Sequence, residues 1–155
     1  MNLLFRLLYV LCISLWRERL PVGVATSRLR LRTLPNDLDL NLHMNNGRYL
    51  TICDLNRVDL FVRTGLLRLM LRKKWTPIVI EHTMRYKRPL RLLRAFDTVM
   101  EVQSWDEREF VMSHQFIVGD RVVAEGRSRA VIHGRDGVVA PAEVIRALRQ
   151  ARGLA

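Results

Sequence analysis

The sequence predicts an α+β domain in which one long antiparallel sheet wraps around one long helix. Residues 46–63 carry apolar side chains on several sides of a helical pattern, so this helix is expected to be largely buried. One strand pattern precedes it and four follow it, with turn signals between them. A chain of 155 residues can bury roughly 70% of its unfolded surface in a single core. Wrapping the sheet around the helix is then the economical packing.

An apolar helix is predicted for residues 1–20, ahead of a main domain that covers residues 24–155. The uncharged run between Arg6 and Arg17 is much shorter than the roughly 20 apolar residues that span a membrane. No small-residue cleavage site follows that run, which argues against a signal peptide. Two interpretations stay open. The helix packs on the domain or on a partner, or it contacts a membrane surface through residues 1–16, with both arginines extending to water.

The first strand is predicted in residues 27–34. Leu29, Leu31 and Thr33 share one face and arginines occupy the other, which is typical of a half-buried strand. Pro35 should end it.

The long helix that follows should end at Gly65, a suitable left-handed C-terminal cap. Asp54 and Arg57 are spaced to form an ion pair across one of its turns. A short basic helix is expected directly afterwards, in residues 66–75.

The remaining chain is predicted to be mostly strand. Gly119 and Asp120 form a hairpin signal, residues 134–137 form a further turn, and Pro141 opens a final amphipathic helix that ends near Gly153. The four strands are expected in residues 76–86, 96–105, 109–118 and 121–133. In the first of these, one face should carry Ile78, Ile80, His82, Met84 and Tyr86.

The net charge of +11 favours an anionic partner, whether nucleic acid, a lipid surface or a phosphorylated ligand. A solvated arginine-rich surface is the alternative. No groove-reading helix signature or exposed aromatic platform supports nucleic-acid binding, so we expect none.

Cys12 and Cys53 stand among apolar neighbours and are expected to be small core residues in a reducing compartment. This predicts a cytoplasmic protein that associates with membranes if residues 1–16 lie in an interface.

Residues 36–50, "NDLDLNLHMNNGRYL", hold the densest set of short polar side chains. An asparagine before the helix is a natural N-cap, but a cap explains only one or two of them. The first turn of a helix offers free N–H groups that could hold an oxyanion, and a carboxylate in the loop before it could act as base or nucleophile. Plain capping and a reaction site both remain open. The candidate residues are Asp37, Asp39, Asn41, His43, Asn45 and Asn46.

The four histidines are too scattered in the sequence to suggest a metal site, and no cofactor motif is present. His82 and His114 share the parity of core residues in their strands. We expect both to be buried histidines whose hydrogen bonds are satisfied, rather than ligands.

The segment "DLDLNLHMNNGRY", residues 37–49, resembles the active-site segment of hotdog-fold thioesterases. It is similar to acyl-CoA thioesterases of the 4-hydroxybenzoyl-CoA type and to plant acyl-carrier-protein thioesterases. It is more similar still to small bacterial thioesterase-like proteins and to thioesterase superfamily member six of animals. The resemblance covers residues 24–133 and agrees with the order of elements derived above.

The resemblance implies a role for each matching residue. Asp39 matches the family's general base or nucleophile, and Asn41 and His43 match residues that orient the reacting groups. The helix N-terminus at Asn45, Asn46 and Gly47 would supply the amides of an oxyanion hole. The resemblance also implies a homodimer or a higher homo-oligomer, with coenzyme A bound across the interface.

One departure narrows this expectation. The plant enzymes carry a further carboxylate after the next strand, and the matching residues 86–89 here contain no acid. We therefore expect a reaction with Asp39 as its single carboxylate, in which an acyl-CoA or acyl-ACP thioester of fatty acid metabolism is hydrolysed. The alternative is a non-catalytic or membrane-docked acyl-binding protein of the same fold.

The basic segment 85–94 follows the strand that begins at residue 76. Arg88, Arg91 and Arg94 are expected to hold the phosphates of coenzyme A, since the planar guanidinium can bond two phosphate oxygens at once. A solvated basic turn is the alternative.

Overall fold

The structure, a computed structural model, describes residues 2–154 and has the predicted α+β architecture. Over this range it contains one strand that the sequence did not predict, the last one, which follows the turn at residues 134–137. The elements are α1 (Asn2–Trp16), β1 (Thr26–Arg32), a 3-10 turn (Pro35–Asp37), α2 (Asn46–Thr64), α3 (Leu66–Lys73), β2 (Thr76–Tyr86), β3 (Ala95–Trp105), β4 (Phe110–Val118), β5 (Arg121–Gly134), β6 (Gly137–Val139) and α4 (Pro141–Ala151).

The strands form one antiparallel sheet in the order β1-β3-β4-β5-β2, with β6 paired to β5. Hairpin connections place β3, β4 and β5 side by side, while β2 crosses over to pair with β5. Strands β1 and β2 therefore occupy opposite ends of the strand order.

Helix α2 is the buried central helix that the sequence predicted. Tyr49, Ile52 and Leu55 are at most 2% exposed and pack against the concave side of the sheet. The helix ends at Gly65, whose φ of +86° is the left-handed conformation that glycine adopts without steric cost. The sheet contributes Leu29, Leu31, Phe96, Phe116, Val123 and Ala124 to the same core.

Helix α1 packs on the domain through a face that is partly polar. Val10 is fully buried there. On one side of it, Arg6 donates to both carboxylate oxygens of Asp37, at 3.2 and 2.7 Å. On the other side, the Ser14 hydroxyl donates to Oδ1 of Asp59 at 2.7 Å. Both aspartates are completely buried, so these bonds attach α1 to the domain at two separate points.

Under the membrane-surface interpretation, Arg6 and Arg17 would both extend to water from this helix, and for Arg6 this was wrong. Arg6 is only 8% exposed because its guanidinium turns inward to Asp37. Arg17 also turns to the domain and donates to Asp59 at 3.1 Å. A buried carboxylate attracts an arginine more strongly than water does when several hydrogen bonds can form.

The side of α1 that faces away from the domain is apolar. We call it the outer face of α1, and its six members are between 52% and 90% exposed: Leu4, Phe5, Leu8, Tyr9, Leu15 and Trp16. Cys12 is also exposed, so the expectation that both cysteines are core residues holds only for Cys53. Among the helices of residues 2–154, none is long and apolar enough to cross a membrane.

Strand β2 departs from the simple alternation that the sequence predicted. A β-bulge between Val79 and Glu81 changes the face that side chains take along the strand. Val79 pairs with Ala130 and lines a cavity beside Arg57, whereas Ile78 pairs with Val131 and lies on the opposite face of the strand. The predicted common face of Ile78 with His82 is therefore wrong.

Candidate active site

The loop before α2 is held in a compact shape by backbone contacts. Leu38 and Met44 form an isolated antiparallel bridge across its base. A second bridge joins His43 to Arg91, and the N–H of Met44 donates to the carbonyl of Leu90 at 2.8 Å. The polar motif and the basic segment are thus neighbours in space, although about 48 residues separate them in the sequence.

Asp37 anchors this loop and is not a free catalytic acid. Its carboxylate accepts hydrogen bonds from Arg6, from Nε and Nη2 of Arg48 at 3.1 and 3.0 Å, and from the N–H of Leu34 at 2.8 Å. Its own carbonyl accepts from the N–H of Asn45 at 2.8 Å. The sequence alone could not separate Asp37 from a catalytic acid, because its partner Arg6 lies 31 residues earlier, beyond any local pattern.

Asp39 lies at the turn of the loop and is half-buried. Its Oδ1 accepts from the N–H groups of Asn41 at 2.8 Å and of His43 at 3.5 Å. Its own N–H donates to the carbonyl of His43 at 2.9 Å, and Leu42 takes a left-handed φ of +59° to close the turn. The structure therefore brings the predicted residues Asp39, Asn41 and His43 together through the backbone.

Helix α2 begins with the predicted cap. The side chain of Asn45 accepts from the N–H of Gly47 at 2.9 Å, so that amide is not available to an oxyanion in this conformation. The predicted role of Gly47 in an oxyanion hole is corrected accordingly. The N–H of Asn46, the first residue of the helix, has no intrahelical acceptor. Tyr86 donates through its hydroxyl to the carbonyl of Asn46 at 3.1 Å and fixes this end of the helix against β2.

The three predicted arginines line one surface groove with a fourth. Arg88, Arg91 and Arg94 lie along one wall, and Arg121 joins them from the start of β5. We call this the basic groove, and its volume is about 490 Å³. Arg121 could not be predicted from the sequence, because only the pairing of the strands brings the β4–β5 hairpin next to this segment.

The tip of the loop carries two exposed leucines. Leu40 is fully exposed and Leu42 is 70% exposed, on either side of Asn41. An apolar tip beside a half-buried carboxylate is suited to an acyl chain or to a second protein surface.

His82 and His114 lie together beneath α2, as their parity predicted, but their hydrogen bonds are not all satisfied. Nε2 of His114 is 2.7 Å from the Ser128 hydroxyl, while its Nδ1 and the Nε2 of His82 have no partner among the described residues. Burial, helped by the charge of Arg57, lowers the pKa of His82 to about 4. Burial, with smaller effects from Arg57 and His82, lowers the pKa of His114 to about 3.

The family model described as the Thioesterase-like superfamily matches residues 33–148. Protein THEM6 from Danio rerio is 38% identical over 86 residues, which are 56% of this chain and 43% of that protein. The matched region is therefore less than half the length of that relative.

Solved structures share the fold. The probable thioesterase YbaW from Escherichia coli has a TM-score of 0.73 at 20% identity, covering 80% of this chain and 97% of its own. A Staphylococcus aureus protein solved in complex with CoA has a TM-score of 0.70 at 12% identity, with coverage of 84% and 85%. The curled antiparallel sheet around α2 is the hotdog fold.

Proposed function

The chain belongs to the thioesterase-like superfamily, and from this membership we propose that it hydrolyses an acyl thioester of coenzyme A or of acyl carrier protein. The observation that carries the proposal is the position of Asp39. Its carboxylate is held half-buried by the N–H groups of Asn41 and His43, directly before the N-terminus of α2.

In the proposed reaction, Asp39 acts as the general base, with direct nucleophilic attack as its alternative role. It would take a proton from a water molecule as the water oxygen bonds to the thioester carbonyl carbon. The carbonyl oxygen becomes negatively charged, and the N–H of Asn46 and the positive end of α2 would stabilise it. The carbon–sulfur bond then breaks, and the leaving thiolate takes up the proton. His43 and Asn41 would orient the thioester.

The experiment that tests this function is a thiol-release assay on the whole chain with acyl-CoAs of increasing length. We expect turnover with a clear preference for one range of acyl lengths. Saturable acyl-CoA binding without any thiol release would instead favour a non-catalytic acyl-binding protein.

The nucleotide end of coenzyme A is proposed to bind in the basic groove, which adjoins the catalytic loop through the bridge between His43 and Arg91. The exposed substitutions Arg88→Gln and Arg91→Gln together should raise KM for acyl-CoA at least tenfold and change kcat little. Only KM changes because the contact between the arginines and the nucleotide would be equally strong in the bound substrate and in the transition state. The effect should shrink as salt is raised, because exposed charges are screened.

The matched control for this prediction removes two exposed arginines outside the groove, Arg135→Gln and Arg146→Gln. Acyl-pantetheine, which lacks the nucleotide, serves as the second substrate. If the groove variant prefers acyl-CoA over acyl-pantetheine as strongly as the unmodified protein does, the groove does not bind the nucleotide.

We also propose that two copies pair through the edge of β2, the last strand in the order β1-β3-β4-β5-β2. This edge exposes Val79, Ile80 and Tyr86 at 39% to 50%, and a free apolar strand edge favours pairing with another strand. Light scattering should show a dimer or a larger assembly. Ile80→Lys should shift it towards monomer, while Val138→Lys on β6 should not. A monomeric unmodified protein at micromolar concentration would contradict this.

The outer face of α1 is proposed to dock on an anionic lipid surface. Arg30 shares a surface groove with Tyr9 of that face, so apolar and cationic groups lie side by side. Arg17 and Arg28 line the same groove but are paired with Asp59 and Asp97. The combination matches the headgroup boundary of an anionic membrane.

Leu8→Ser with Trp16→Ser should weaken binding to phosphatidylserine-containing vesicles at least tenfold. Burying each of these side chains contributes about 1.5–3 kcal/mol, and 1.4 kcal/mol is a factor of ten. Leu71→Ser with Val138→Ser, which removes exposed apolar groups elsewhere, is the control. Absence of vesicle co-sedimentation by the unmodified protein at low salt would refute the docking proposal.

A further inference from the structure

A cluster of polar side chains lies in the interior between α2 and the sheet, far from the loop of Asp39. Cys53 and Arg57 stand one turn apart on α2, and His82 of β2 and His114 of β4 face them. We call these four residues the core polar cluster. The Cys53 sulfur and one nitrogen of each imidazole lie within 4.8 Å of one another, and the two imidazole rings are 4.9 Å apart. Arg57 is eleven residues beyond Asn46, or roughly 16 Å along the helix axis.

The cluster holds nearly all of the unmatched polar atoms in the interior. Within residues 2–154, five buried side-chain atoms have no hydrogen-bond partner: Asn56 Oδ1, Arg57 Nε, Arg57 Nη2, His82 Nε2 and His114 Nδ1. Buried polar groups in proteins are hydrogen bonded in the large majority of cases, because an unmatched one costs free energy. Four of these five atoms belong to Arg57, His82 and His114 of the cluster, which indicates a place that binds something polar.

The positive charge of Arg57 favours a bound group that is negatively charged. Its side chain is 8% exposed, and its Nη1 is paired with the carboxylate of Asp54. The two unmatched atoms, Nε and Nη2, form one edge of the guanidinium, where two N–H bonds point in parallel. That edge matches the two oxygens of a carboxylate.

The histidines can add donors to the same place. Burial keeps both imidazoles neutral at pH 7, and a neutral imidazole has one N–H. When the Ser128 hydroxyl donates to Nε2 of His114, the proton is on Nδ1, which is the unmatched nitrogen. His82 can likewise carry its proton on Nε2.

A metal ion fits the cluster less well than an anion. One cysteine and two histidines are a ligand set that zinc accepts. The fixed charge of Arg57 repels a cation, however, and a metal would leave its unmatched Nε and Nη2 atoms without an acceptor.

Arg57 also lines a small apolar cavity of about 70 Å³. Its other walls include Leu60, Phe61, Val79 and Met112. An apolar cavity of about 150 Å³ holds benzene, so this one, at about half that volume, fits a chain of about three carbons.

From these contacts we propose that the core polar cluster and the adjoining cavity bind a short aliphatic carboxylate, with its carboxylate on Arg57 and its chain in the cavity. The site is separate from the loop of Asp39, and its occupation does not depend on the proposed hydrolysis.

Butyrate is the probe, titrated into the 155-residue chain at pH 7 by calorimetry, with 1-butanol as a control that lacks the charge and hexanoate as a control whose chain exceeds the cavity. We expect one carboxylate per chain, bound at least tenfold more tightly than the alcohol of equal length. Imidazole NMR signals should shift for His82 and His114 and stay in place for His43 and His133.

Two variants test the two halves of the site. Arg57→Gln should weaken carboxylate binding at least tenfold. Ala130→Leu, which adds bulk to the cavity wall and leaves the four cluster residues in place, should also weaken butyrate binding. Thermal unfolding of each variant shows whether it is folded. If the unmodified protein shows no shift of the His82 and His114 signals, or binds Zn²⁺ at one equivalent and no carboxylate, the proposal is wrong.

Discussion

Asp39→Asn is expected to lower kcat for the best thioester substrate by about 10²- to 10⁴-fold, the usual contribution of a general base. The amide keeps an oxygen at the position of Oδ1, so the hydrogen bonds from the N–H groups of Asn41 and His43 can persist. What is lost is the basicity of the carboxylate. Thermal unfolding should therefore be unchanged while steady-state turnover collapses.

Asp136→Asn is the matched control, since it removes one exposed negative charge from the β5–β6 turn. It should leave turnover within twofold of the unmodified protein. An Asp39→Asn variant with near-normal kcat would remove Asp39 from the mechanism.

Asp59→Ala is expected to reduce the free energy of unfolding by about 3–5 kcal/mol, the usual cost of removing one partner from a buried charged network. The Asp59 carboxylate is completely buried. It accepts from the hydroxyls of Ser14 and Ser27 at 2.7 Å each, and from Arg17 and Arg63 at 3.1 Å each. The substitution leaves all four donors without this acceptor and releases one attachment of α1.

The comparison variant is Asp97→Ala, which breaks the ion pair with Arg28, a side chain that is 58% exposed. Water replaces a partner easily at such a position, so the loss should be at most about 1 kcal/mol. Urea unfolding followed by circular dichroism measures both. Equal losses in the two variants would show that burial of Asp59 does not strengthen its network.

The sequence was a good guide wherever short-range patterns decide the outcome. The alternation of Leu29 and Leu31, the buried stripe of α2 and the cap at Gly65 all depend on neighbours within a few residues. The hydrogen bonds of the Asp39 side chain are also local, because they join it to backbone N–H groups only two and four residues ahead.

Features set by distant partners could not be predicted in this way. The orientation of α1 follows from Asp37 and Asp59, which lie far along the chain from Arg6 and Ser14. A helix that is apolar on most sides gives no local signal for which side faces inward. The addition of Arg121 to the basic groove likewise requires the strand pairing.

The bulge in β2 and the core polar cluster have the same explanation. A bulge inserts one residue without a strong composition signal, so the strict alternation from Ile78 to Tyr86 was the natural expectation. Cys53, His82 and His114 come from three separate elements, and their proximity is a property of the folded sheet and helix.

The attachments of α1 have a consequence for the order of events during synthesis. Ser14 is made 45 residues before its acceptor Asp59, which at ordinary translation rates is an interval of roughly 2 to 9 s. Arg6 has no carboxylate partner until Asp37 is made, and Ser14 has none until Asp59 is made. The outer face of α1 is already complete by then, since all six of its residues precede Arg17. Whatever surface binds this face can therefore meet it while the rest of the domain is still being translated.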